Sequence, residues 1–268
     1  MSPLPCFPQI DVVASTTGVS DYLTRKTLRS FSLVNHAFLH RCRHHLFREI
    51  KLAVEFTTPS HERRISRLLP LLQHPLSQIA PFVHIVNMRD CFWEPELPAI
   101  LSLLPTIHTI HLSTRAGTAS WSVFTPAFKE AILSTLALPA IQEVSIKGLV
   151  DLPWDLLAAP SLARLTLRDS NAEEEVDTEA NKSTSTPTVL SVHTSFPLLA
   201  TLLRHQTVCL SRLKDVTLIS STRWDMSRST DVLRLASATV ERISFTNVSG
   251  APNPTTSTGD SLANLFSR

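Results

Sequence analysis

The stretch PTIHTIHL at 105–112 returns in altered form as PAIQEVSI at 139–146 and PSLARLTL at 160–167. Each copy opens on a proline and then sets apolar side chains three and two positions apart: Ile107, Ile110 and Leu112 in the first. Weaker copies, opening on a proline or a small residue, are PFVHIVNM at 81–88, SRLKDVTL at 211–218 and ATVERISF at 238–245. Successive copies start 24, 34, 21, 51 and 27 positions apart. The closing residues of each phrase alternate apolar and variable, the pattern of a half-buried strand. Strands are therefore predicted at 84–88, 108–112, 142–146, 163–167, 214–218 and 241–245.

Helix-like stretches lie between the phrases. Residues 95–104 carry Leu97, Ile100, Leu101 and Leu104 at helical spacing. Residues 125–136 carry Phe128, Ile132, Leu133 and Leu136, with Thr125 as N-cap before Pro126. Shorter versions cover 196–204 and 230–236. A strand and a helix in so short a unit cannot bury their apolar faces alone, and stacked copies can. The pattern resembles the leucine-rich repeat in a loose, irregular form. That resemblance implies an α/β chain built as an open solenoid with a parallel sheet. The asparagine that follows the strand in that family is missing, and Cys91 alone is read into its slot.

The variable strand residues point away from the core and would line the concave face, the usual binding face of a solenoid. They are Ile85, Asn87, Arg89; Thr109, His111, Ser113; Glu143, Ser145, Lys147; Arg164, Thr166, Arg168; Asp215, Thr217, Ile219; and Arg242, Ser244, Thr246. Five Arg or Lys stand there against two acids. Arg89, His111, Lys147, Arg164, Arg168, Asp215 and Arg242 are the candidate contacts for a protein client. The excess of positive charge suits an acidic or phosphorylated segment, with Arg164 and Arg168 placed for bidentate contacts; a solvated sheet with ordinary scatter is the plainer reading.

The 51-residue interval contains Glu173, Glu174, Glu175, Asp177 and Glu179 followed by a Ser/Thr-rich run. Residues 170–188 are accordingly expected as a disordered, solvated loop. Residues 249–268, with Pro252, Pro254 and many Ser and Thr, are expected as a disordered tail. The domain plan is then 1–50 helical, 51–248 repeats and 249–268 tail.

In the first fifty residues Leu28, Phe31, Val34, Ala37 and Phe38 sit at helical spacing. Ile50, Leu52, Val54 and Phe56 then alternate, marking a first strand. TLRSFSLVNHAF at 27–38 is similar to the second half of an F-box. RHHLFREI at 43–50 is similar to the linker of fungal, mushroom-type F-box proteins, which carry degenerate leucine-rich repeats afterwards. Phe7-Pro8 matches the apolar-Pro pair that opens an F-box. The resemblance implies docking on a Skp-type adaptor of a cullin–RING ubiquitin ligase through Phe7, Pro8, Ile10, Val13, Leu28, Leu33, Val34 and Phe38. The repeats would then hold the client. The alternatives are a helical cap over the solenoid end and, for function, a repeat scaffold with no ligase link.

Other classes find little in the sequence. The chain has five glycines, where a typical composition would supply about 7%, and no two stand close enough for a phosphate-cradling loop. Cys6, Cys42, Cys91 and Cys209 are too scattered for a C-x-x-C pair and read as reduced, intracellular thiols, cytoplasmic or nuclear. His36, His40 and His44 have zinc-compatible spacing, yet no acid lies near in sequence to orient them, so no metal is expected. The basic stripe Arg25, Lys26, Arg29, Arg41, Arg43 and Arg48 has few stacking aromatics and no DNA-reading motif, which argues against nucleic acid. Residues 68–88 lack formal charge but are broken by Pro70, Pro75 and Pro81, so no membrane span is expected. Without a nucleophile elbow, an H-E-x-x-H or a carboxylate pair in an apolar setting, the expectation is a non-enzymatic binding protein without cofactor.

Overall fold

Alternation sorts each phrase onto two faces. Val86 and Met88, Ile110 and Leu112, Val144 and Ile146, Leu165 and Leu167, and Val216 and Leu218 are buried, and the residues between them are more exposed. The computed structural model describes residues 27, 28, 30, 36–53, 62–74, 77–115, 117–172, 184–220, 232–234 and 238–247. It is an α/β fold with parallel strands. A strand forms at each of the six expected places, starting one residue later than the pattern marks. The chain divides into two compact units, residues 1–115 with 124–143, and 116–123 with 144–268.

In the first unit, helix α1 (His36–Phe47) passes through Arg48 into strand β1 (Glu49–Ala53). Helix α2 (Glu62–Gln73), strand β2 (Ile85–Arg89), helix α3 (Leu97–Ser102), strand β3 (Thr109–Ser113) and helix α4 (Pro126–Leu136) follow. The parallel order is β1-β2-β3, with Ile50 opposite Val86 and Val86 opposite Ile110. Thr125 caps α4 as expected, its hydroxyl accepting from the Phe128 N–H at 3.2 Å. Pro126 fills the first turn, where a missing N–H costs nothing. Leu97, Ile100 and Leu101 from α3 and Phe128, Ile132 and Leu136 from α4 are buried, each contributing about 1.5–3 kcal/mol.

The second unit holds strands β4 (Ala119–Ser120), β5 (Glu143–Lys147, of which Glu143 itself belongs to the first unit), β6 (Leu149–Val150), β7 (Arg164–Arg168) and β8 (Val189–His193). Helix α5 (Phe196–Arg204) and strands β9 (Asp215–Ser220) and β10 (Arg242–Asn247) complete it. The main order is β5-β7-β8-β9-β10, and β4 pairs with β6 separately. The expected helix at 230–236 is described only over 232–234, which is helical.

Strand β8 corrects the reading of the long interval. Aligned on its buried Leu190 and Val192, a further copy of the phrase runs from 185 to 192, STPTVLSV. The interval thereby splits into steps of 25 and 26 residues, from 160 to 185 and from 185 to 211. Of the expected loop 170–188, Ser170, Ala172 and Ser185 are buried, and bridges join Leu152 to Ala172 and Ser185 to Val208. Residues 173–183 and the expected tail from 249 lie outside the described residues.

Strands β2, β3, β8, β9 and β10 begin with the same backbone device. Two consecutive N–H groups converge on one carbonyl of the preceding strand start. In the first unit His84 and Ile85 donate to Arg48 O, and His108 and Thr109 to His84 O. In the second, Thr188 and Val189 donate to Ala163 O, Lys214 and Asp215 to Thr188 O, and Glu241 and Arg242 to Lys214 O. The residue just past a strand takes a left-handed conformation: Asp90 (φ 52°), Gly148 (69°), Asp169 (49°) and Thr194 (56°). In the first three its N–H reaches the last residue of the next strand, as from Gly148 to Arg168 O at 2.8 Å and from Asp169 to His193 O at 3.0 Å, and the Thr194 N–H reaches Ile219 O at 3.1 Å. A chain this poor in glycine uses Asp and Thr in a region where a β-branched residue is strained. At Thr194 the hydroxyl offsets part of that cost, its single proton lying between two acceptors, His193 O at 2.7 Å and Asp169 Oδ1 at 2.5 Å.

Three positions beyond the last buried strand residue stand Cys91, Ser170 and Ser195, all buried. The Ser195 hydroxyl accepts from Ser170 N–H at 2.9 Å and donates to His193 O at 3.1 Å. The Ser170 hydroxyl accepts from Leu149 N–H at 3.4 Å and donates to Arg168 O at 2.8 Å. Two serines thus satisfy buried backbone donors in the slot that the sequence assigned to Cys91 alone. In the first unit the Cys91 thiol points to Leu52 O at 3.5 Å, and burial pushes its pKa up to about 12. Cys209 differs: the Ser211 hydroxyl, 3.2 Å from its Sγ, and the Ser211 backbone lower its pKa, and it is half-exposed. Since the thiolate is the nucleophile, iodoacetamide at pH 8 should alkylate Cys209 in the native protein and spare Cys91 until denaturant is added. Peptide mass spectrometry reads both sites, and equal native rates would contradict this burial.

Candidate functional site

The expected outward residues of β2, β3, β5, β7 and β9 lie on the sheet face opposite the buried side chains; on β10 Ile243 is half-buried and Phe245 exposed. Two faces result, one per unit, and their electrostatics differ.

On the first unit the middle row runs Lys51, Asn87, His111 in register. Glu49, one row over, accepts from Asn87 Nδ2 at 2.5 Å and pairs with Lys51 Nζ at 3.2 Å. Burial pushes the His111 pKa down, and the carboxylates Glu143 and Glu49 pull it partly back. Arg89 is exposed at the end of β2. The strand residues of this face comprise Lys51 and Arg89 against Glu49 and Glu143, so its charges cancel.

On the second unit Arg164 and Arg168 are exposed at the two ends of β7. Arg242 clamps Asp215 in bidentate fashion, Nη2 to Oδ2 at 2.7 Å and Nε to Oδ1, and this holds the Asp215 carboxyl below its usual range. Arg168 Nε lies 3.4 Å from Asp169 Oδ2, just beyond the strand. Strand β8 adds Ser191 and His193, which sequence reasoning missed; the signal was the alternation of Leu190 and Val192. His193 Nε2 and Ser191 Oγ are 3.0 Å apart. Burial, then the nearby Arg168, depress the His193 pKa. Lys147, Arg164, Arg168 and Arg242 against Asp215 leave this face at a net +3.

Of the residues expected to meet an adaptor, Leu28 is half-exposed and helical. Phe7, Pro8, Ile10, Val13, Leu33 and Val34 lie outside the described residues, and Phe38 is described only as part of α1. His44, weighed above with His36 and His40 for zinc, stands in a column with His84 and His108, ring centroids 5.8 and 4.9 Å apart. Among the described residues no group of His, Cys, Asp or Glu is arranged to hold a metal ion, and no helix is long and apolar enough to cross a membrane. A groove of about 450 Å³ between α3 and α4 is lined mainly by Pro98, Leu101, Leu104, Ala127, Ala131 and Leu138, with Glu130 as its ionisable group. Compared with known proteins, the chain matches no family model, no curated protein and no solved structure.

Proposed function

We propose that this chain is the non-enzymatic substrate-recognition subunit of a cullin–RING ubiquitin ligase. An F-box-like segment within residues 1–50 docks on a Skp-type adaptor, and irregular leucine-rich repeats hold a protein client. The observation that carries the reading is the repeated strand start with its buried polar slot. Cys91, Ser170 and Ser195 occupy the position where leucine-rich repeats place an asparagine, and the two serines answer backbone N–H groups of the kind that asparagine serves. The helix running into β1 through one residue supports an N-terminal helical segment continuous with the repeats. Its similarity to an F-box supplies the adaptor.

Co-expression with a Skp-type adaptor tests the reading. The parent chain should capture the adaptor, and Leu33→Asp should abolish capture, because a carboxylate buried in an apolar interface has no partner. The circular dichroism and unfolding midpoint of the repeats should stay unchanged. Failure of the parent chain to capture the adaptor would leave a repeat scaffold with no ligase link.

A further inference from the structure

We propose that the sheet face of the second unit binds an extended, carboxylate-rich peptide segment. The inference rests on reading this face as the client face and adds the chemistry of what it takes.

The parallel register arranges the face in three rows. Arg164, Val189, Asp215 and Arg242 form the first. Thr166, Ser191, Thr217 and Ser244 form the second, a line of four hydroxyls on adjacent strands. Arg168, His193, Ile219 and Thr246 form the third. Three strand spacings separate Arg164 from Arg242, about 14 Å, and four residues separate Arg164 from Arg168, about 13 Å. The three arginines therefore spring from three corners of a rectangle whose midline is hydroxyl. Arg242 is oriented by its clamp on Asp215, and Arg168 lies beside Asp169.

This spacing selects among anions. A single phosphate group is recognised by donors that converge on it, and these cations stand apart. A segment with a carboxylate every few residues can meet them one at a time, while its backbone carbonyls take hydrogen bonds from the hydroxyl row. Nucleic acid also distributes its charge, but single strands are held by stacking on aromatic rings. None of the twelve residues in the three rows is an aromatic of that kind except the small imidazole of His193. The net charge of this face, against none on the first unit, would concentrate an acidic partner here.

The test is fluorescence anisotropy on the purified full-length chain, without adaptor. The probes are a labelled Glu-rich peptide, its Gln-rich counterpart, a peptide with one phosphoserine and single-stranded RNA. The Glu-rich peptide should bind, and more weakly as salt rises. Arg164→Ala and Arg168→Ala should each weaken it about fivefold, the upper range for exposed charge pairs. Together they should cost about 25-fold, since separated sites add. Arg204→Ala, on helix α5, should leave binding unchanged. Equal binding of the Gln-rich peptide, no effect of either arginine change, or tighter binding of RNA or of the singly phosphorylated peptide would each overturn the proposal. Because no adaptor is present, peptide binding without adaptor capture would sink the ligase reading alone. Adaptor capture without peptide binding would sink this inference alone.

Discussion

Phe92→Ala should destabilise the first unit by about 3–5 kcal/mol, the usual cost of removing a buried phenyl ring. Phe92 is fully buried, and its ring centroid lies 4.9 Å from that of Phe124 and 5.7 Å from that of Phe128. Phe124 and Phe128 meet edge-on at 5.5 Å. All three separations fall in the range where aromatic pairs attract beyond their area burial. The trio ties the turn after β2 to the start of α4, two elements with no backbone hydrogen bond between them among those described. Deleting one ring leaves a void that its rigid neighbours close only in part. Hydrogen exchange should report faster exchange across β2 and β3, and denaturant unfolding an earlier first transition. Phe92→Leu, which keeps most of the volume, should cost clearly less. A loss below about 1 kcal/mol on alanine substitution, far under the usual range, would show that the trio does not anchor this core.

What the sequence reveals here, and what it hides, follows from the range of each interaction. The spacing of three and two, as in Ile107, Ile110 and Leu112, needs only local side-chain alternation, so six strands and their outward residues can be read from it. Strand β8 escapes because Pro187 sits where the other copies carry Val83, Ile107, Ile141, Leu162 or Leu213. The acidic and Ser/Thr-rich run before it completes the disguise. Once β8 is missing, Ser195 has no place in the repeat, and the pairing of two serines 25 positions apart cannot be seen. The same limit applies to the candidate face. Its cations are visible one by one, but the clamp of Arg242 on Asp215 joins residues 27 positions apart and exists only through the register of β9 and β10. The division of charge between the units, neutral on one face and +3 on the other, likewise depends on where the chain packs and not on its local pattern.

Ser195→Ala should cost the second unit about 1–3 kcal/mol, the price of a buried donor left without a partner. The loss is asymmetric. His193 O keeps the Asp169 N–H at 3.0 Å and the Thr194 hydroxyl at 2.7 Å, so the missing donor there matters little. Ser170 N–H has only the Ser195 hydroxyl among the hydrogen bonds described, in a site that water does not reach. The disturbance should pass along the slot, because the Ser170 hydroxyl in turn receives the Leu149 N–H. Faster hydrogen exchange is therefore expected at Ser170 first and Leu149 second, with the strands of the first unit unaffected. Ser244→Ala removes an exposed hydroxyl from the sheet face and should change stability by no more than about 0.5 kcal/mol. Should Ser195→Ala prove as mild as Ser244→Ala, or leave the Ser170 amide protected, the buried serines would not be the polar supports of the repeat. The leading structural argument for a leucine-rich-repeat reading would then fall with them.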